Sequence, residues 1–188
     1  MSSPHHLILG GQRSGKSRQA ERIGRSWLQQ SLAHKVTVVA TATAVDEEMR
    51  QRIERHRLDR PDGFDTVEAP LHLGAALRAA VSADHLLIVD CLTLWLTNVL
   101  MPGPGGAGQA PSDWLKLKAD MFGALKAIRS PVVLVSNEIG WGVVPMGAEV
   151  RHFVDELGRL HQEVAQQCGH ITLMVAGQPF TQVVQPWA

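Results

Sequence analysis

The chain has 188 residues, 45% of them apolar, with 18 basic and 18 acidic side chains. That length suits one domain with a full core, and the apolar share excludes a disordered polymer. The balanced charge gives no global field to draw DNA, RNA or an acidic membrane surface, and no apolar run nears the ~20 residues that cross a bilayer.

Two cysteines, Cys91 and Cys168, lie far apart without metal-ligand spacing and read as reduced thiols. The first residues, Met1 to His6, lack the basic region and apolar stretch of a signal peptide. The expectation is a cytoplasmic enzyme formed as a single domain over residues 1–188.

In chain order, short runs rich in β-branched residues recur at 7–9, 36–40, 86–89, 132–135 and 171–175. Each is continuous and bounded by polar or glycine positions, as strands buried on both faces are. Helical patterns fall between them at 17–30, 46–60, 71–82, 112–128 and 148–167. This alternation predicts an α/β fold of the P-loop NTPase (RecA-like) type, a mostly parallel sheet with helices on both faces. Residues 102–111 hold four glycines and three prolines and read as a surface loop.

Chemistry concentrates first at Gly10-Gly11-Gln12-Arg13-Ser14-Gly15-Lys16-Ser17, between the first strand and the first helix. Glycines at both ends permit turns in which successive N–H groups point inward at phosphate oxygens, and the helix start adds the positive end of its dipole. Lys16 is placed to reach the β- and γ-phosphates, and the Ser17 hydroxyl to ligate Mg²⁺. The bland reading is a chance match in a glycine turn, but strand and helix stand where the loop requires them.

The run Leu86-Leu87-Ile88-Val89-Asp90 ends in a carboxylate, the usual partner of such a loop, holding Mg²⁺ directly or through water. Its alternative is an aspartate that caps the next helix.

The third stretch, residues 46–61, places Met49, Ile53 and His56 at i, i+4 and i+7 of a helix. A solvated, salt-bridged helix is the bland reading. Arg55, Arg57 and Arg60 are more cations than such a face needs and suit bidentate contact with phosphates. A histidine among them is disfavoured from protonating and is left nucleophilic. His5 and His6 read as terminal, His34, His72, His85 and His170 as solvent-facing, and His152 and His161 as too far apart to share a metal.

Taken together, GGQRSGKS (10–17), ATAT (40–43), DEEMRQRIERHRLDRP (46–61), TVEAP (66–70), DCLTLWLTNVL (90–100), SNEIGWGVVP (136–145) and RHFVDELGRLHQ (151–162) resemble one family. It is the bifunctional adenosylcobinamide kinase and adenosylcobinamide-phosphate guanylyltransferase of cobalamin biosynthesis. The resemblance implies two reactions. A nucleoside triphosphate, ATP or GTP, phosphorylates adenosylcobinamide; a histidine then takes GMP from GTP and passes it to adenosylcobinamide phosphate. By position that histidine is His56. Nucleotide contacts fall on Gly10 to Ser17, on Ala40, Thr41 and Ala42, on Arg57, Leu58, Asp59 and Arg60, and on Glu68 and Asp90. A homo-oligomer, specifically a trimer, is implied by resemblance. His161 departs from the asparagine often found there. Trp95, Trp141 and Trp187 are candidates to pack on the corrinoid, against the commoner reading of core or interface residues. Two readings compete: a P-loop small-molecule kinase without guanylyl transfer, and a nucleotide-gated binding protein.

Overall fold

The computed structural model describes residues 3–44, 47–58, 62–101 and 111–184; at 52, 53, 56–58, 111 and 112 it describes the backbone alone. The strands are β1 (His6–Gly10), β2 (Lys35–Ala40), β3 (Phe64–Glu68), β4 (His85–Asp90), β5 (Val132–Asn137), β6 (His170–Val175) and β7 (Gln178–Val183). Between them lie α1 (Lys16–Leu28), α2 (Glu47–Leu58), α3 (Leu73–Ala80), α4 (Leu92–Leu100), α5 (Pro111–Ala127) and α6 (Ala148–Ala165). One sheet runs in the order β3-β2-β4-β5-β1-β6-β7. All pairings are parallel except β6 with β7. The α/β reading holds.

Alternation along the strands divides the core between the two faces. Leu7, Val39, Leu87, Val89, Val132 and Leu134 pack with Leu73, Leu77, Trp95, Met121 and Leu157 from α3 to α6. Ile8, Val36, Val38, Ile88, Val133 and Val135 face the other way, against Ala20, Ile23 and Trp27 of α1. In α6, Phe153, Leu157, Leu160 and Val164 repeat at i, i+4, i+7 and i+11, which makes one buried stripe.

Three elements escape the sequence pattern. Strand β3 sits at the sheet edge with an almost wholly exposed face, so its sequence carries no continuous apolar run. Strand β7 is exposed throughout, contains Pro179, and folds back on β6 through a tight turn at Ala176 and Gly177, both at positive φ. Helix α4 follows β4 so closely that its apolar residues merge with the strand's in sequence. The loop reading of 102–111 falls outside the described residues except at Pro111.

The histidine readings need correction. His5 is 3% exposed and its Nε2 lies 2.9 Å from the Leu125 carbonyl oxygen. His6 belongs to β1, with Nε2 2.7 Å from Thr172 Oγ1. His34 and His85 are half-buried, the first stacked on Trp27. His161 is buried in α6. Burial of His5 and partial burial of His6, His34 and His85 come from packing between segments far apart in the chain, which position near a terminus or beside an element does not reveal.

Burial holds three of these rings neutral. It is the leading cause that lowers the pKa of His5 and His161, and it lowers His6 to about 4 with help from His170. The unfolded chain, with histidines near 6.5, then binds more protons than the native one in the window from about 6.5 to about 4. Stability therefore falls as pH falls through that window, by about 1–2 kcal/mol after allowance for partial exposure of His6. Thermal melts at pH 7 and pH 5 measure this, and equal midpoints would contradict neutral burial.

Candidate active site

The phosphate loop depends on two glycines, one for space and one for a backbone conformation that strains other residues. Gly10, at φ 154°, leaves no room for a Cβ, which would come within 2.6 Å of the Met174 carbonyl oxygen and of Ser14 Oγ. Gly15, at φ 98°, is left-handed and precedes α1, offering no side chain to the first-turn amides. That turn carries no acidic residue. The helix thus begins as an anion site does, with N–H groups and dipole aimed at the loop.

Neighbouring strands fix the loop. The Gly10 carbonyl accepts from the Glu138 N–H at 2.9 Å, and the Ser14 carbonyl from the Gly177 N–H at the β6–β7 turn at 3.0 Å. Lys16 is 8% exposed and its Nζ donates to the Gly11 carbonyl at 2.6 Å. Ser14 Oγ is buried with no hydrogen-bond partner among the described residues.

Above the carboxyl ends of the strands lies a cavity of about 500 Å³. Its walls include Gln12, Arg13, Ser14, Gly15, Lys16 and Ser17 from the loop, Ala40 and Ala42 after β2, Glu68 at the end of β3, and Asp90 at the end of β4. Those ten sequence-predicted positions converge. Gly10 and Gly11 shape the loop but are not wall residues. Thr41 is fully buried beneath the cavity: its Oγ1 donates to the Cys91 carbonyl at 2.7 Å and accepts from the Cys91 N–H at 2.8 Å, stapling the β2 loop to the β4 loop.

Helix α2 reaches the cavity at Met49, another wall residue. His56 lies seven residues further along the same helix, about 10 Å of axis away. The side chains of His56, Arg57 and Leu58 are outside the described set, as are Asp59 and Arg60 entirely.

Several contributors are absent from the sequence reading. Asn98 in α4 donates through Nδ2 to the Thr41 and Pro70 carbonyls at 2.7 and 3.0 Å, and its Oδ1 accepts from Thr43 Oγ1 at 2.9 Å. It ties together the loops that follow β2 and β3. A lone amide in the apolar stretch 92–100 is the signal that could have found it. Cys91 also borders the cavity, but burial first, and the neighbouring Asp90 second, push its thiol up to about 11, so it is a protonated wall rather than a nucleophile. Asn137, at the end of β5, completes the wall. Trp95 is fully buried, with Nε1 on the Leu71 carbonyl at 2.8 Å, so it packs the core and not a corrinoid. Trp141 is 75% exposed, and Trp187 lies outside the described residues. Among the described residues no helix is long and apolar enough to span a membrane.

The chain is 46% identical over 173 residues to a bifunctional adenosylcobalamin biosynthesis protein, CobP, of Pseudomonas aeruginosa; the match covers 92% of this chain and 94% of that protein. It is 35% identical over 181 residues to a bifunctional adenosylcobalamin biosynthesis protein, CobU, of Escherichia coli, covering 91% and 95%. In fold it is similar to the flagellar accessory protein FlaH of Methanocaldococcus jannaschii, with a TM-score of 0.50 at 14% identity, covering 98% of this chain and 80% of that one. The family model described as cobinamide kinase / cobinamide phosphate guanyltransferase matches residues 6–182. With the phosphate loop, the strand-end carboxylate and α2 gathered at one cavity, this chain belongs to that family of bifunctional enzymes.

Proposed function

We propose that this chain phosphorylates the aminopropanol hydroxyl of adenosylcobinamide with a nucleoside triphosphate, and then moves GMP from GTP through a guanylylated His56 to give adenosylcobinamide-GDP. The observation that carries the reading is the shared cavity: phosphate loop, strand-end carboxylate and the start of the His56 helix border one volume. Lys16 and the first-turn amides of α1 bind the phosphates, with Ser14 Oγ as a further donor. The Ser17 hydroxyl and Asp90 carboxylate, both on the wall, are hard oxygen donors that suit Mg²⁺. When bound there, Mg²⁺ neutralises charge that builds on the phosphates. Ala40, Ala42 and Glu68 border the nucleotide, and Arg57 and Arg60 hold anionic oxygens near His56. Thr41 and Asn98 keep these loops in register.

His56 divides GMP transfer into two displacements. Its imidazole nitrogen bonds to the α-phosphorus as pyrophosphate leaves, and the substrate phosphate oxygen then displaces the imidazole. The energy of the phosphoanhydride is kept in the P–N bond between the two steps.

Incubation with adenosylcobinamide, Mg²⁺ and ATP or GTP tests the whole reading by chromatography and mass. Adenosylcobinamide phosphate should form first, then adenosylcobinamide-GDP with one pyrophosphate released per GMP transferred. Phosphate ester without any GDP derivative would reduce the protein to a plain kinase. Nucleotide binding without either product would favour a nucleotide-gated binding protein.

A further inference from the structure

Strand β5 lies between β1, which feeds the phosphate loop, and β4, which ends in Asp90. Its last residue, Asn137, is in register with Gly10, and Val135 with Asp90. Strand alternation turns Asn137 to the cavity side, where it is a wall residue, and Ser136 to the opposite face. Asn137 therefore stands between the two groups that handle phosphate and metal. It is a neutral amide at that place, with a donor that costs nothing to present to an anion.

What holds Asn137 is a buried polar chain on the far face of the sheet. The Asn137 N–H donates to Thr93 Oγ1 at 2.8 Å, and Thr93 Oγ1 lies 3.0 Å from Ser136 Oγ. Ser136 Oγ lies 2.7 Å from His161 Nε2, and His161 Nδ1 faces Glu138 Oε2 at 3.7 Å. Glu138 Oε1 in turn accepts from the Gly140 N–H at 2.7 Å. Thr93, Ser136 and His161 are each under 10% exposed. With the ring proton on Nδ1, Thr93 donates to Ser136 and Ser136 to His161 Nε2. The ring N–H is directed toward the Glu138 carboxylate across 3.7 Å, an electrostatic contact longer than a hydrogen bond. A polar network this deep in a core is costly unless satisfied, and once satisfied it rigidifies what it touches. Here it grips the residues on either side of Asn137, and its main-chain N–H as well.

We propose that Asn137 is a catalytic residue of the phosphoryl-transfer step, its amide donating to an oxygen of the transferring phosphoryl group, and that His161 is the positioning residue that fixes it. In that step the bond between the acceptor oxygen and the γ-phosphorus forms as the bond from the bridging oxygen breaks. The nucleoside diphosphate leaves with the electron pair, and the hydroxyl proton passes to solvent. Charge spreads over the three equatorial oxygens in the transition state, so a fixed donor there gains strength as the reaction proceeds. This rests on the kinase reading above.

Steady-state phosphorylation of adenosylcobinamide by ATP or GTP, with a GTP-binding titration as the check of folding, tests both parts. Asn137→Ala is expected to lower kcat about 10²-fold with nucleotide KM within about threefold, the mark of an interaction made in the transition state. Asn137→Asp keeps the shape but sets an anion against phosphoryl oxygens, and should lose at least as much. His161→Ala should lower kcat about tenfold, also at nearly constant KM. His161→Gln, which can accept from Ser136, should recover most of that loss; a purely structural histidine would change melting temperature without this split or rescue. An Asn137 variant with kcat within threefold of wild type, or with KM alone raised, would overturn the assignment. Glutamine that rescues no better than alanine would remove His161 from it. Absence of phosphorylation by the wild type would instead sink the kinase reading.

Discussion

His56→Ala should lose guanylyl transfer by about 10⁴-fold or more, the scale of removing a nucleophile that forms a covalent intermediate. Phosphorylation of adenosylcobinamide should persist within a few-fold. The difference follows from where the two phosphorus atoms must lie. A phosphate loop presents the γ-phosphate to an acceptor, and Lys16, Ser17 and Asp90 already share its cavity. His56 is about 10 Å along α2 from Met49, the point at which that helix meets the cavity wall. Attack at the α-phosphate therefore needs α2 or the nucleotide to be seated differently from the kinase step, and truncating His56 leaves the γ-phosphate geometry intact. Separate assays of phosphate ester and GDP derivative measure the split. Equal loss of both products would mean that His56 serves the nucleotide site as a whole.

Lys16→Ala should cost both steps, with kcat for phosphorylation down about 10²–10³-fold. The side chain is almost wholly buried within the loop, its Nζ on the Gly11 carbonyl. On the proposed function, this cation meets the β- and γ-phosphates and offsets charge on the departing diphosphate in phosphoryl transfer and on departing pyrophosphate in guanylyl transfer. Rates of both half-reactions at saturating nucleotide test this, and a variant impaired only in KM would show that Lys16 binds without stabilising either transition state.

The phosphate loop was legible because its determinants are local. Glycines, lysine and serine act within eight residues, so their spacing alone carries the geometry. Asp90 was legible for a similar reason, as a charge that ends an aliphatic strand. The five interior strands follow from continuous apolar runs, and the helices between them, α4 apart, from their own patterns. Strands β3 and β7 do not, since edge strands with exposed faces keep no such run. The contributions of Thr41, Asn98 and Asn137 are long-range. Each depends on a partner about 40 residues away or more, such as Cys91 for Thr41 and Thr93 for Asn137. His5 was misjudged for the same reason, since burial is a property of the packed sheet and not of position in the chain; the reading of His161 concerned metal spacing alone and did not address its burial.

The covalent step is tested most directly by the mass of the intact protein after incubation with GTP and Mg²⁺, beside His56→Ala. The account predicts an added GMP on the wild-type chain alone, lost in acid as a phosphorus–nitrogen bond is and discharged by adenosylcobinamide phosphate. An adduct of the same mass on His56→Ala, or none on the wild type while GDP derivative is being formed, would contradict it.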